Sequence, residues 1–234
     1  MINVLLCAEG VTDQGGTDYN VKQGHTIQND GPIQILIRKI ANRESSGAEC
    51  KFTVRTRKDI DKITLLGKER PKLDKDAPPA KLYKAARINE CTHIAYHRDE
   101  DHRGLDDIRT EVDKNFTKSK DCGLHCLIIV PQRMIESWLL SDKNAYKDDT
   151  QLPSKPEEIW GDKGSFNHPK KWIERALKAM FMEPSAKTYA YIAENSDIDV
   201  IRQKCPESFG KYFFDEVIKW LAASGSPQSS SPNM

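Results

Sequence analysis

Four short apolar runs alternate with helical patterns along the first 150 residues, and this alternation restricts the fold more than any other feature. The runs cover 3–8, 51–55, 92–96 and 124–130. Short apolar or alternating runs bounded by polar residues predict strands that are buried or half-buried. Strands separated by helices form a mainly parallel sheet with helices on its faces. Such a sheet binds its ligand outside the carboxyl ends of its strands.

Helical patterns fill the intervals between these strands. Apolar residues at helical spacing predict a helix from Pro32 to about Arg43 and a second helix that opens at Pro78. A third helix is predicted to start at Gly104. The stretch 14–31 is polar and rich in glycine, and it supports no such prediction. We therefore expect an α/β fold with a mainly parallel four-stranded sheet flanked by helices.

The rest of the chain is predicted to be a helical appendage. A polar segment with two prolines, 151–156, reads as a linker. Helical spacing then recurs in three segments, which are 170–180, 189–193 and 209–221. We expect a catalytic domain at 1–150, a helical extension at 151–222 and a disordered tail, rich in Ser and Pro, at 223–234.

Composition limits what the chain can do and where it works. Its 36 Lys and Arg nearly balance its 35 Asp and Glu, so it lacks the basic excess of a passive nucleic-acid coat. Any polyanion must therefore be bound by local patches. The apolar run Val4–Ala8 is too short for a signal segment or a membrane span. We expect a soluble cytoplasmic protein without a membrane partner, in which the six cysteines are thiols.

Acidic residues follow two strands of the predicted sheet. Glu9 comes directly after the first strand, beside Gly10, which permits close approach of the backbone, and Asp13 is four residues further on. Asp99 and Asp101 follow the third strand. Since they are two residues apart, extended backbone points both side chains the same way, where they can bind a hard cation. Taken singly, such acids are more often caps or solvated loop residues.

Glu136 follows the fourth strand among apolar neighbours. Those neighbours are Met134, Ile135, Trp138, Leu139 and Leu140. A buried carboxylate is costly unless it is paired, protonated or bound to a metal. The alternative is that Glu136 stabilises a helix N-terminus after Pro131. Five acids at one edge repel one another unless divalent cations neutralise them, and oxygen ligands suit Mg²⁺ or Mn²⁺. Such ions hydrolyse phosphodiesters by activating water and stabilising the leaving oxygen.

Basic residues crowd the segment 55–75, where a solvated loop is the alternative to a phosphate-facing surface. Those that we expect to bind nucleic acid are Arg57, Lys58, Lys68, Arg70 and Lys72. Lys170 or Lys171 could neutralise charge in the transition state, and a solvated lysine is the alternative.

Two other kinds of site have weaker signals. A zinc site could use residues from a histidine- and cysteine-rich set, which comprises Cys91, His93, His97, His102, Cys122, His125 and Cys126. No paired Cys-x-x-Cys spacing supports it. The chain also has no Walker-type lysine motif, which argues against ATP hydrolysis by that route.

Several motifs, in this order, resemble a known class of protein. The segment Cys7–Asp13 resembles the opening motif of TOPRIM domains, particularly those of overcoming-lysogenization-defect (OLD) nucleases, and His97–Asp101 matches their second motif. The segments 131–142, 168–171 and 205–209 look like a bacterial family of small stand-alone TOPRIM-like proteins. The likeness spans most of the chain. Its ordered set of motifs is more specific than the first motif alone.

This resemblance implies a TOPRIM-like, Rossmann-like domain with Mg²⁺-dependent nuclease activity on DNA or tRNA. Glu9 would be a metal ligand and acid/base, and Asp13, Asp99, Asp101 and Glu136 would be further ligands. The resemblance also implies a separate ABC-type ATPase as partner in anti-phage defence, because the sequence lacks the fused ATPase of OLD enzymes. A homo-oligomer is left open. The alternative function is a non-catalytic regulatory or binding subunit with the same fold.

Overall fold

A computed structural model describes residues 1–9, 13, 15–20, 25–44, 48–66, 77–100, 103–117, 123–146 and 169–223. The strands within these ranges are β1 (Ile2–Ala8), β2 (Gly15–Asn20), β3 (His25–Asp30), β4 (Cys50–Thr56), β5 (His93–His97) and β6 (His125–Ile129). Four of them form a parallel sheet in the order β4-β1-β5-β6, while β2 and β3 form an antiparallel pair. The predicted parallel four-stranded sheet is confirmed.

Helices cover this sheet and continue beyond it. They are α1 (Pro32–Glu44), α2 (Arg57–Asp61), α3 (Ala77–Ile88), α4 (Leu105–Thr117), α5 (Glu136–Leu139), α6 (Pro169–Ala179), α7 (Ala186–Asn195), α8 (Ile198–Lys204) and α9 (Asp215–Ala222). A 3₁₀ turn spans Lys143–Ala145, and a π-helix spans Pro206–Phe214. The predicted helices at 32–43, from 78 and from 104 correspond to α1, α3 and α4. The helix α8 is an addition that the sequence does not predict.

The sheet reverses its direction of growth at β1. From β1 the chain crosses through α1 to β4 on one side, and then returns to β5 on the other side, with β6 beyond it. The buried residues of α1 belong to a core on one face of the sheet, whereas those of α3 and α4 belong to a core on the opposite face. The carboxyl ends of β1 and β5 therefore flank a topological switch point, where open α/β sheets form their binding crevice.

The central strand β1 contributes to both cores. Val4 and Leu6 pack into the core on the α1 side, and Leu5 and Cys7 pack into the core on the α3 side. All four are buried, as the two-residue period of a strand covered on both faces requires. This burial explains why Val4–Ala8 is apolar throughout and why the first charged residue, Glu9, appears only where the strand ends.

The C-terminal helices complete the core on the α1 side. Ile173, Leu177, Ile192 and Phe213 have no exposed surface and belong to the same cluster as Val4. Burying a side chain of this size contributes about 1.5–3 kcal/mol relative to exposure. The helices after residue 168 are therefore an integral part of the core that supports the sheet. The predicted linker 151–156 and the tail from 224 lie outside the described residues.

The β2–β3 hairpin occupies a stretch for which the sequence predicts no element. It pairs Gly15 with Asp30 and Asn20 with His25. Both strands are mostly polar, so they lack the alternation of apolar residues by which a half-buried strand is recognised.

Two expectations drawn from composition can be compared with the described residues. Five cysteines there are free thiols, as predicted, namely Cys7, Cys50, Cys91, Cys126 and Cys205, while Cys122 lies outside them. None of the helices in the described ranges has the length and apolar character needed to cross a membrane.

Candidate active site

Glu9 and Asp99 meet at the switch point. Glu9 directly follows β1, and Asp99 follows the neighbouring β5 by two residues. The backbone N–H of Asp99 donates a hydrogen bond to Glu9 Oε2 at 3.2 Å. The Glu9 side chain keeps 36% of its surface exposed, so it remains open to a ligand from the crevice.

A buried histidine lies between two of the predicted acids. His97 ends β5, and its side chain has no exposed surface. Its Nδ1 is 3.7 Å from Asp13 Oδ2, and its Nε2 is 3.4 Å from Asp99 Oδ1. Neither ring nitrogen has a hydrogen-bond partner among the described residues. The imidazole thus faces a carboxylate on each side.

The carboxylates decide the charge of this histidine. Burial by itself lowers the pKa of His97. The neighbouring Asp99, Asp13 and Glu9 raise it by more, so the pKa lies above its ordinary value. In its charged form His97 can balance part of the negative charge of the acids. The sequence places His97 inside a motif but does not reveal this role, which depends on Asp13 approaching from another segment.

Glu136 adds a fourth carboxylate, after Glu9, Asp13 and Asp99. It is the first residue of α5 and is 6% exposed, as its apolar neighbours predict. Burial raises the pKa of Glu136 to about 7, with further increases from the charges of Asp13 and Asp99. The hydroxyl of Tyr189, on α7, donates a hydrogen bond to Glu136 Oε1 at 3.4 Å.

The alternative for Glu136, stabilisation of a helix N-terminus, contributes only in part. A backbone hydrogen bond within Glu136 at the start of α5 lowers the pKa, but burial raises it by more. A carboxyl whose pKa stays above its ordinary value is not explained by a helix terminus, since such a terminus favours the charged form.

Of the two predicted lysines, the structure brings Lys170 to the acids. Lys170 lies in the first turn of α6, and its charge lowers the pKa of Glu136. Lys171 is the next residue on the same exposed turn, about 100° further around the helix axis. Lys170 is therefore the better placed of the two to neutralise charge at this edge.

One predicted ligand cannot be placed, because Asp101 lies outside the described residues. Its neighbour Glu100 has a structural partner instead. Glu100 is 8% exposed, and its Oε2 accepts a hydrogen bond of 2.6 Å from the backbone N–H of Arg133. Arg133 has a positive φ of 65° in the segment that connects β6 to α5. Glu100 thus ties the segment that precedes Glu136 to the end of β5.

The predicted basic patch is represented near the acids by Arg57. This residue begins α2 directly after β4, and its Nη1 lies 3.7 Å from Glu9 Oε1. Lys58 is exposed on the same helix. The other three predicted residues, Lys68, Arg70 and Lys72, lie outside the described residues.

The acids have suitable chemistry for a hard cation but do not form a closed ligand set. Among the described residues, no group of three or more His, Cys, Asp or Glu side chains is positioned to hold one metal ion. This finding covers the described carboxylates, without Asp101, and the described part of the alternative zinc set. Within the described residues, Asp99 Oδ1 is buried and faces only His97 Nε2 at 3.4 Å, without a well-aligned hydrogen bond, so it can still accept a ligand. The donor set, which is all carboxylate oxygen, fits Mg²⁺ or Mn²⁺.

Comparison of the chain with protein-family models, with curated proteins and with solved structures gave no match. The fold and the site together define an α/β protein with a Rossmann-like parallel sheet. Glu9 and Asp99 meet at the crevice between β1 and β5, and Asp13 and Asp99 are close enough to Glu136 to raise its pKa.

Proposed function

We propose that this protein is a metal-dependent nuclease of the TOPRIM type, which hydrolyses phosphodiester bonds of DNA or tRNA with Mg²⁺ or Mn²⁺. The observation that carries the proposal is the electrostatic contact among acids from separate segments. Asp13 and Asp99 both raise the pKa of Glu136, and Glu9 is hydrogen-bonded to the backbone of Asp99. Carboxylates that repel one another suit a divalent cation, because binding it removes the repulsion.

Each residue at this crevice has a separate role in the proposed reaction. Glu9, Asp13, Asp99 and Glu136 would hold the metal, together with Asp101. A bound Mg²⁺ or Mn²⁺ supplies an activated water and a counter-charge for the leaving oxygen. His97, which faces Asp13 and Asp99, would balance part of their negative charge. Lys170 and Arg57 provide positive charge for a phosphate that enters between them and the acids.

The partner of the proposed nuclease is a separate ABC-type ATPase, and the setting is defence against phage. This part of the proposal comes from the TOPRIM-like motifs at Cys7–Asp13 and His97–Asp101. A local basic patch, rather than net charge, would bind the nucleic acid, because the chain as a whole carries a formal charge of only +1.

The direct test is cleavage of plasmid DNA and of tRNA by the purified protein, alone and with its ATPase partner. We expect cleavage with Mg²⁺ or Mn²⁺, none with EDTA, and none for Glu9→Gln. The matched control is Glu183→Gln, which removes an exposed carboxylate beyond α6 and should retain activity. If no nucleic acid is cut and no divalent ion binds, the proposal is wrong. A non-catalytic binding subunit would then be the better description.

A further inference from the structure

A second feature lies beside the acids, on the face of the sheet covered by α3 and α4. It is a cavity of about 160 Å³, lined by residues that include Arg57, Arg98 and Tyr96. Arg57 is the residue 3.7 Å from Glu9. Tyr96 directly precedes His97 on β5, so the two side chains point to opposite faces of the sheet. The cavity therefore lies on the opposite face of the sheet from His97 but at the same edge as the acids, and the contact between Arg57 and Glu9 joins the two.

Two guanidinium groups make the cavity attractive to an anion. Arg57 and Arg98 both lower the pKa of Tyr96, which burial raises, and this places both charges near the tyrosine. The carboxylate that lines the cavity, Glu111, is already neutralised. One of its oxygens is 3.1 Å from Arg98 Nη1, and the other pairs with Arg103. Arg57 faces Glu9, while Arg98 and Arg103 share the single carboxylate of Glu111. Three guanidinium groups thus face two carboxylates, and an entering anion meets the remaining positive charge.

The rest of the lining is apolar and includes two aromatic rings. Tyr96 and Phe116 lie together with ring centroids 5.6 Å apart, and Pro78 and Pro79 contribute apolar surface. A ligand that uses both parts of the cavity needs a planar ring system and an anionic group. Nucleotides combine these features, since bases stack on aromatic side chains and phosphates pair with arginine. Inorganic phosphate would leave the aromatic surface unused.

We propose that this cavity is a nucleotide subsite, in which its roughly ring-sized space takes one base beside Tyr96, while the exposed Arg57 and its neighbour Arg98 bind the adjoining phosphate at the opening. The assignment rests on the proposed function, because it takes the ligand to be one nucleotide of the strand whose neighbouring phosphodiester lies at the acids. The subsite itself needs no metal. Its occupancy can therefore be measured separately from cleavage.

The test is calorimetric titration of the full chain, in EDTA, with AMP, dAMP, adenosine and inorganic phosphate. Stacking and phosphate pairing together should make either nucleotide bind at least about tenfold more tightly than adenosine or phosphate. Equal affinity for nucleotide and phosphate would reduce the cavity to an anion site and overturn the proposal. Equal affinity for nucleotide and adenosine would contradict the role of the two arginines.

Paired variants separate binding from structure. Arg98→Gln should weaken AMP binding by about tenfold. Arg103→Gln is the matched control, because Arg103 also pairs with Glu111 but is not among the residues that line the cavity. Equal losses in the two variants would mean that only the Glu111 network matters, which would refute the subsite. Tyr96→Leu should lose about tenfold, whereas Tyr96→Phe should bind AMP normally. If Tyr96→Leu does not fold, the comparison of Arg98→Gln with Arg103→Gln still tests the subsite.

Failure of this subsite and failure of the nuclease can be told apart by experiment. Nucleotide binding in EDTA without any cleavage in Mg²⁺ would leave the subsite standing and remove the nuclease. Cleavage in Mg²⁺ without nucleotide binding at Arg98 and Tyr96 would support the nuclease and refute the subsite.

Discussion

The two ends of β5 each carry a buried histidine, and the two histidines have opposite electrostatic surroundings. His93 and His97 are both 1% exposed. Burial and the neighbouring His125 lower the pKa of His93 to about 4, whereas the carboxylates around His97 raise its pKa. Two residues of one type on one strand, equally shielded from water, therefore have pKa values shifted in opposite directions. Burial lowers the pKa of both, and only at His97 do neighbouring carboxylates outweigh it.

The amino end of β5 is built for packing. His93 Nε2 lies 3.3 Å from the carbonyl oxygen of Trp220, which can only accept, so Nε2 carries the proton. Nδ1 then accepts from the hydroxyl of Thr92 at 2.8 Å. The ring also contacts Trp220 edge-on, with centroids 4.8 Å apart. Every polar atom of the neutral ring is satisfied at this end, whereas both ring nitrogens of His97 face carboxylates.

The size of a cavity does not show which part of the sheet holds the proposed site. A cavity of about 550 Å³ lies along β6, between α4 and α9, and is lined by residues that include His125 and Trp220. It is larger than the 160 Å³ cavity beside the acids. The acids nevertheless converge at the carboxyl end of the sheet, where the topology places the binding crevice.

The largest expected effect is on catalysis at the carboxyl end. Asp99→Asn removes the charge of a proposed ligand whose buried Oδ1 has no hydrogen-bond partner among the described residues. We expect cleavage to fall by roughly 10³-fold, as for loss of a group that stabilises developing charge. Single-turnover cleavage with Mn²⁺ measures this. The matched variant Asp113→Asn, beside the larger cavity, should cleave at the wild-type rate. Equal losses of cleavage in both variants would mean that the acids at the carboxyl end have no special role in catalysis.

The next effect is on stability at the amino end. Trp220→Leu removes the ring that packs against His93 and the indole N–H that donates to the carbonyl of His125. We expect the free energy of unfolding to fall by about 2–4 kcal/mol. Urea unfolding measures it. Cleavage per folded molecule should be unchanged, and a specific loss of activity in this variant would show that the amino end also serves the chemistry.

A pH-dependent effect should also arise at the amino end. The folded pKa of His93, about 4, lies below its ordinary value of 6.5, so the unfolded chain binds a proton more readily. The contribution of His93 is therefore complete above about pH 6.5 and is lost as the pH falls toward 4. We expect protonation of His93 to lower the free energy of unfolding by about 2 kcal/mol between pH 7.5 and 5.

The variant His93→Gln isolates this contribution from the titration of other groups. Urea unfolding of both proteins at pH 7.5 and at pH 5 measures the difference in pH dependence. The variant should lose less stability over this range than the wild type. Identical losses would mean that His93 is already charged in the folded protein.

The smallest effect concerns the support of Glu136. Tyr189→Phe removes the hydroxyl that donates to Glu136 Oε1 and leaves the ring in place. We expect the free energy of unfolding to fall by about 1 kcal/mol, the contribution of one hydrogen bond. Thermal unfolding with and without Mg²⁺ measures it. If the variant is as stable as the wild type under both conditions, the hydroxyl does not support Glu136.

The local sequence pattern predicts most of the sheet because the sheet is covered on both faces. Val4 to Ala8 must be apolar because both faces are covered, so the strand and the acid at its end are visible in the sequence. The hairpin from Gly15 to Asp30 is mostly polar and lacks that signal. The burial of Glu136 is also visible, because its immediate neighbours are apolar.

Contacts between distant segments cannot be predicted in this way. The pairing of His97 with Asp13 and the approach of Lys170 to Glu136 depend on how loops and the C-terminal helices pack. The subsite at Arg57 and Arg98 likewise combines residues that follow different strands. The sequence supplies the individual acids, but their distances and their electrostatic influence on one another follow only from the fold.

Divalent-metal binding tests the central claim most directly. Calorimetric titration with Mn²⁺ alone should show binding to the wild type and to Asp113→Asn with equal affinity. Asp99→Asn and Glu9→Gln should bind at least about tenfold more weakly, since they remove negative charge only at the carboxyl end of the sheet. Absence of Mn²⁺ binding by the wild type, or equal binding by all four proteins, would contradict a metal site between β1 and β5.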